Sequence, residues 1–106
     1  MVFGPYTTLP EGDYRVRFDL ELIKPARGRI ATLDMIGGFE GDLFGTTELF
    51  AEALASGRRE IEFTARIPKR CARIEVRLFG SGAGLLLHGV TVRRVGPPSH
   101  APGSTP

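Results

Sequence analysis

The sequence predicts an all-β chain folded as an antiparallel two-sheet sandwich of about seven to eight strands. Three observations carry this expectation. Between Asp13 and Leu22 the residues alternate strictly: Tyr14, Val16, Phe18, Leu20 and Leu22 on one face, Asp13, Arg15, Arg17, Asp19 and Glu21 on the other. That two-residue rhythm describes a strand dry on one side and wet on the other, as antiparallel sandwiches need. Similar runs recur at 60–67, 72–79 and 85–95, separated by turn residues. Finally, 14 Gly and 8 Pro in 106 residues suit frequent tight turns better than helices.

Each element follows from local chemistry. Val2 to Thr8 reads as a short first strand, with Pro5 suited to an edge. Leu9-Pro10-Glu11-Gly12 is a turn in which Pro pre-sets φ and Gly accepts a positive one. The long strand runs from Asp13 to Ile23, and Pro25 to Gly28 breaks it. Arg29 to Ile36 forms the next strand, with Ala31, Leu33 and Met35 on one face. Gly37 to Asp42 is a hairpin loop, and Leu43 to Thr47 returns beside it. From Thr47 to Ser56 two readings stand: a short helical turn near 48–56, with Thr47 as N-cap and Gly57 as stop, or a strand continued from Leu43.

Glu60 to Ile67 places Ile61, Phe63, Ala65 and Ile67 inward; Ala72 to Phe79 places Ala72, Ile74, Val76 and Leu78 inward. In the last strand, Leu85 to Val95, Leu85 and Leu87 share one phase and Val90 and Val92 the other, so a bulge at His88-Gly89 is expected to put all four on one face. Residues 1–95 are read as the domain and 96–106 as a flexible tail rich in Pro, Gly and Ser. No stretch approaches transmembrane length, so no membrane insertion is expected. The formal charge of +2 comes from mixed acids and bases and argues against nucleic acid. Cys71 is the single cysteine, which excludes an intrachain disulfide and fits a reducing, cytoplasmic compartment.

Several segments then resemble a known group. Phe3-Gly-Pro-Tyr6, Leu9-Pro-x-Gly12, Tyr14-x-Val-x-Phe18, Ala31-x-Leu-Asp34 and Ile74-Glu-Val-Arg-Leu-Phe79, followed by Gly-x-Gly and a final strand, are similar to small jelly-roll, carbohydrate-binding-like modules attached to bacterial glycosyltransferases and polysaccharide-assembly proteins. The resemblance spans residues 3–95 and concerns strands and turns rather than a catalytic signature. It implies a jelly-roll sandwich, a glycan ligand held by aromatic faces and polar side chains, and a glycosyltransferase-type partner. The chain departs from a strong sugar binder in having no Trp and only two Tyr.

The candidate ligand-binding residues are Tyr6, Arg17, Asp19, Arg77 and Phe79. Phe79 lies in the polar phase of its strand, so it either stacks on a sugar ring or packs under a loop or in a dimer interface. Tyr6 either offers its ring and hydroxyl to a ligand or closes one end of the sandwich. Arg17 and Asp19 either grip hydroxyls or form cross-strand ion pairs on a solvated face.

The remaining motifs are weaker. Asp34, Glu40 and Asp42 lack a calcium-loop pattern. The Gly80 to Gly84 run precedes a strand instead of the helix a phosphate loop requires. His88 with Ser81 lacks an orienting acid, and Cys71 after Lys69-Arg70 reads as an ordinary strand start. No catalytic residue, metal or cofactor is expected. The leading expectation is a non-catalytic carbohydrate-binding or carbohydrate-positioning accessory module. The alternative is a structural module that oligomerises or docks a protein through an exposed sheet face or edge.

Overall fold

The computed structural model describes residues 2–54, 58–80 and 84–96, with the backbone alone for residues 2–7. Seven strands occupy most of this length: β1 (Val2–Leu9), β2 (Gly12–Leu22), β3 (Arg29–Gly37), β4 (Asp42–Phe50), β5 (Arg58–Ile67), β6 (Cys71–Gly80) and β7 (Leu85–Gly96). They pair, all antiparallel, into a four-stranded sheet ordered β1-β6-β3-β4 and a three-stranded sheet ordered β5-β2-β7. The chain crosses between sheets at every connection except the β3–β4 hairpin, which is the alternation of a jelly roll.

The predicted inward faces build the core. Tyr14, Val16, Phe18 and Leu20 of β2 are buried with Phe63, Ala65 and Ile67 of β5. Leu33, Met35, Leu49, Ile74, Val76 and Leu78 of the other sheet pack against them. Phe18 and Phe63 stack with ring centroids 6.3 Å apart. The two sheets converge most closely where β4 meets β5. There a Cβ on Gly45 would lie 2.6 Å from the Thr64 carbonyl oxygen and 2.9 Å from Ala65 Cα, so only glycine fits.

The first turn is pinned from both sides. The Tyr14 hydroxyl donates to the Pro10 carbonyl at 2.7 Å, in the manner of the tyrosine corner of β-sandwiches. Arg94 donates through Nε and Nη2 to the Glu11 carbonyl. Burial raises the Tyr14 phenol above its ordinary pKa, while the Arg94 charge pulls the other way.

The expected bulge at His88-Gly89 is present. Asp19 pairs with Gly89 and Leu20 with Leu87, so His88 is the extra residue and Leu87 and Val90 both turn to the core. Another register shift was not expected. Arg29 pairs with Phe50 and Ala31 with Leu49, so β3 carries Ile30 as an extra residue there, and both Ile30 and Ala31 are buried.

Two expectations are corrected. Between Thr47 and Ser56 both readings are partly realised: β4 continues through Phe50, and one 3-10 turn, Ala51–Leu54, follows. Thr47 therefore does not cap a helix, because it pairs with Leu33 within the sheet. The turn instead buries Ala51 and Leu54, and Ala51 N–H donates to the Gly28 carbonyl. Ala72 is exposed rather than inward, because Arg73 adopts a φ of 59° and breaks the alternation. The expected tail beyond Gly96 lies outside the described residues. Among the described residues no helix is long and apolar enough to cross a membrane.

Candidate functional site

With the apolar faces turned towards each other, the two sheets present their outer faces in opposite directions. This separates the sequence-predicted site residues. Arg77 and Phe79 stand on the outer face of the four-stranded sheet, Arg17 and Asp19 on that of the three-stranded sheet. One small ligand cannot touch both pairs. Tyr6 belongs to β1, and its side chain lies outside the described residues.

On the four-stranded sheet, register sets side chains in rows across β6, β3 and β4. Phe79, Thr32 and Glu48 form one row, and Arg77, Asp34 and Thr46 form the next. Adjacent strands are about 4.8 Å apart, so the first row spans roughly 10 Å. Phe79 is 48% exposed and borders an open depression of about 270 Å³ lined by Arg29, Ile30, Ala31, Thr32, Phe79 and Gly80. Arg29 pairs with Glu48 at 3.0 Å and gives the depression a charged lining residue.

The second row supports the first. Asp34 takes two hydrogen bonds from Arg77, at 2.8 Å from Nε and 2.7 Å from Nη2. This bidentate pair fixes the guanidinium plane, which lies 4.8 Å from the Phe79 ring centroid. Hydrogen bonding to Asp34 raises the Arg77 pKa further above the ordinary arginine value, against the opposing effect of burial. Asp34, expected beside the hairpin acids, is thus engaged with Arg77. Among the described residues no group of His, Cys, Asp and Glu could hold a metal ion.

On the three-stranded sheet, cross-strand ion pairs occupy the polar residues. Arg17 pairs with Glu62 at 2.7 Å and Glu60 at 3.5 Å. Arg58 grips Asp19 with both Nε and Nη2, the closest contact at 2.6 Å. The hydrogen bond from Arg58 is the main cause that lowers the Asp19 pKa. Glu21 meets His88 at 2.9 Å, which engages His88 structurally, while Ser81 lies outside the described residues.

Sequence reasoning placed Arg77 and Phe79 on one face but did not pick out Thr32, Arg29 or Glu48 beside them. Alternation put Thr32 on the face opposite Ala31, Leu33 and Met35, but Arg29 shares the phase of those apolar residues until the register shift at Ile30, Glu48 fell where two readings stood, and nothing in a single sequence states which strands are neighbours. Searches against family models, curated proteins and solved structures found no match to this chain.

Proposed function

We propose that this chain is a non-catalytic carbohydrate-binding or carbohydrate-positioning module that meets its ligand on the outer face of the four-stranded sheet. The observation that carries the reading is the half-exposed Phe79 ring beside a depression with polar walls. A pyranose has an apolar C–H face and a rim of hydroxyls. The ring would take the first, and Arg29, Glu48 and Thr32 the second. Arg77 is held by Asp34 before any ligand arrives, so little side-chain entropy would be lost there. The strand-and-turn resemblance to accessory modules of polysaccharide assembly supports the same class and a glycosyltransferase-type partner.

A shallow site with one aromatic contact should bind at about millimolar Kd. The test is a titration with mono- and oligosaccharides followed by amide chemical shifts. Shifts should centre on Thr32 and Phe79, vanish in Phe79→Ala and survive in Arg17→Gln. No saturable shift up to roughly ten times that concentration, or binding indifferent to Phe79→Ala, would overturn the reading.

A second reading has its own observation. Edge strand β4 exposes Leu43 (58%) and Phe50 (45%), and an edge offers unpaired main-chain groups to another strand. Self-association through β4 would appear as a concentration-dependent size in light scattering that Phe50→Glu abolishes. A constant monomer mass would exclude it.

A further inference from the structure

The outer face of the three-stranded sheet is unevenly compensated. Its carboxylates are taken from the β5 side and at the far end of β2: Glu62 by Arg15 and Arg17, Glu60 by Arg17, Asp19 by Arg58, Asp13 by Arg66 and Glu21 by His88. The β7 side of the Arg15–Arg17 segment has no such partner. Arg93 on β7 lies directly opposite Arg15 on β2, and among the described residues it makes no ion pair. Like charges directly opposite on one sheet face repel, so this register conflicts with the pairing found elsewhere on the face.

Arg15, Arg17 and Arg93 also converge on a cleft of about 100 Å³ whose fourth lining residue is Thr91, the cross-strand partner of Arg17. A wider depression of about 360 Å³ continues past Arg15 and Arg93 to Arg94 and Val95. Arg94 commits its Nε and Nη2 donors to the Glu11 carbonyl, so the donors left for a ligand in the cleft belong to Arg93 and to the loosely paired Arg15, whose contact with Glu62 is 3.4 Å.

We propose that this cleft is a binding site for a tetrahedral oxyanion, a phosphate or sulfate group, either free or as an ester. The anion would sit over the β2–β7 seam, accept charge-assisted hydrogen bonds from the Arg15, Arg17 and Arg93 guanidinium groups, and meet the Thr91 hydroxyl. Glu60 and Glu62 offset part of the charge from the β5 side, so selection rests on geometry: guanidinium groups from two strands and the Thr91 hydroxyl offer donors from several directions, which a tetrahedral oxyanion can meet and a planar carboxylate cannot. The site lies on the face opposite Phe79 and stands independently of the glycan reading.

The test uses the whole chain at constant ionic strength, with chloride as reference. Sodium phosphate, sodium sulfate, glycerol phosphate and sodium acetate are titrated, with arginine Nε–Hε resonances and thermal stability as readouts. Phosphate and sulfate should shift the Arg15, Arg17 and Arg93 signals saturably and raise Tm, and acetate should do so at least about fivefold more weakly. Stronger binding of glycerol phosphate than of inorganic phosphate would identify an ester as the ligand; the reverse order would identify the free ion. Arg93→Gln should weaken binding at least about fivefold, while Arg70→Gln, in the β5–β6 turn, should not. Without added anion Arg93→Gln should leave Tm unchanged or raise it, because it removes repulsion; a merely structural arginine would lower it. Phe79→Ala should leave anion binding intact. The proposal is overturned if no anion exceeds chloride, if acetate matches phosphate, or if Arg93→Gln binds as tightly as the parent.

Discussion

Replacing Asp34 with Ala tests the link between the four-stranded sheet and its outer face. The Asp34 side chain is 8% exposed and that of Arg77 is 27% exposed, and two charge-assisted hydrogen bonds join them. Removing one partner of a fully buried pair costs about 3–5 kcal/mol, because the other charge is stranded. Arg77 can recover some hydration through its exposed quarter, so the lower range applies, about 2–3 kcal/mol. For a domain of this size that corresponds to a fall in Tm of roughly 10–20 °C.

The assay is urea unfolding of the parent, Asp34→Ala, Arg77→Ala and the double variant, so that a thermodynamic cycle isolates the pair. A coupling of about 1.5–2 kcal/mol is expected, above the ~0.2–1 kcal/mol typical of solvent-exposed ion pairs in general. It should persist at ~1 M salt, where exposed pairs are screened. Saccharide affinity should fall as well, because Arg77 loses the hold that sets it over Phe79. A coupling at or below ~0.5 kcal/mol would refute the reasoning, since Arg77 would then be an ordinary solvated arginine.

Other expectations follow from the same contacts. Gly45→Ala should destabilise by about 1–3 kcal/mol in thermal unfolding, because the new methyl meets β5 backbone that cannot yield like a side-chain tip. Tyr14→Phe should cost about 1 kcal/mol through loss of the bond to Pro10. The raised Tyr14 pKa means that the neutral phenol favours the folded state: its contribution is complete below the unfolded value and is lost as pH rises through the folded one. Alkaline unfolding above about pH 10 should therefore soften in Tyr14→Phe, and an unchanged alkaline limb would contradict this. The lowered Asp19 pKa acts at the other end: its contribution is present above the unfolded value and fades as pH falls through the folded one, so Asp19→Asn should flatten the acid limb of a stability–pH profile.

The strands and their inward faces were legible because alternation is a local property of the backbone. Tyr14 to Leu20 and Phe63 to Ile67 are buried as their spacing predicts. Even the His88 bulge could be read from a change of apolar phase. The Ile30 bulge and the positive φ at Arg73 within β6 could not, since each accompanies a register shift between paired strands. Val92 shows the same limit: it shares the inward phase with Val16, yet at the edge of a three-stranded sheet it is 37% exposed.

Site composition was legible only as separate residues. Arg77 and Phe79 were named as outward, but Asp34 as the partner of Arg77, and Thr32 between Phe79 and Glu48, depend on β3 lying between β6 and β4. That order follows from sheet crossovers, which leave no mark in local spacing.

By itself, then, the order of amino acids determined an alternating, turn-rich β chain with one apolar side per strand. Tertiary structure alone decided that Arg17 and Arg77 look away from each other, that Arg77 is locked to Asp34, and that Arg15 confronts Arg93. The physical reason is that hydrophobic alternation chooses which side of a strand is dry, whereas long-range pairing chooses which wet side chains become neighbours.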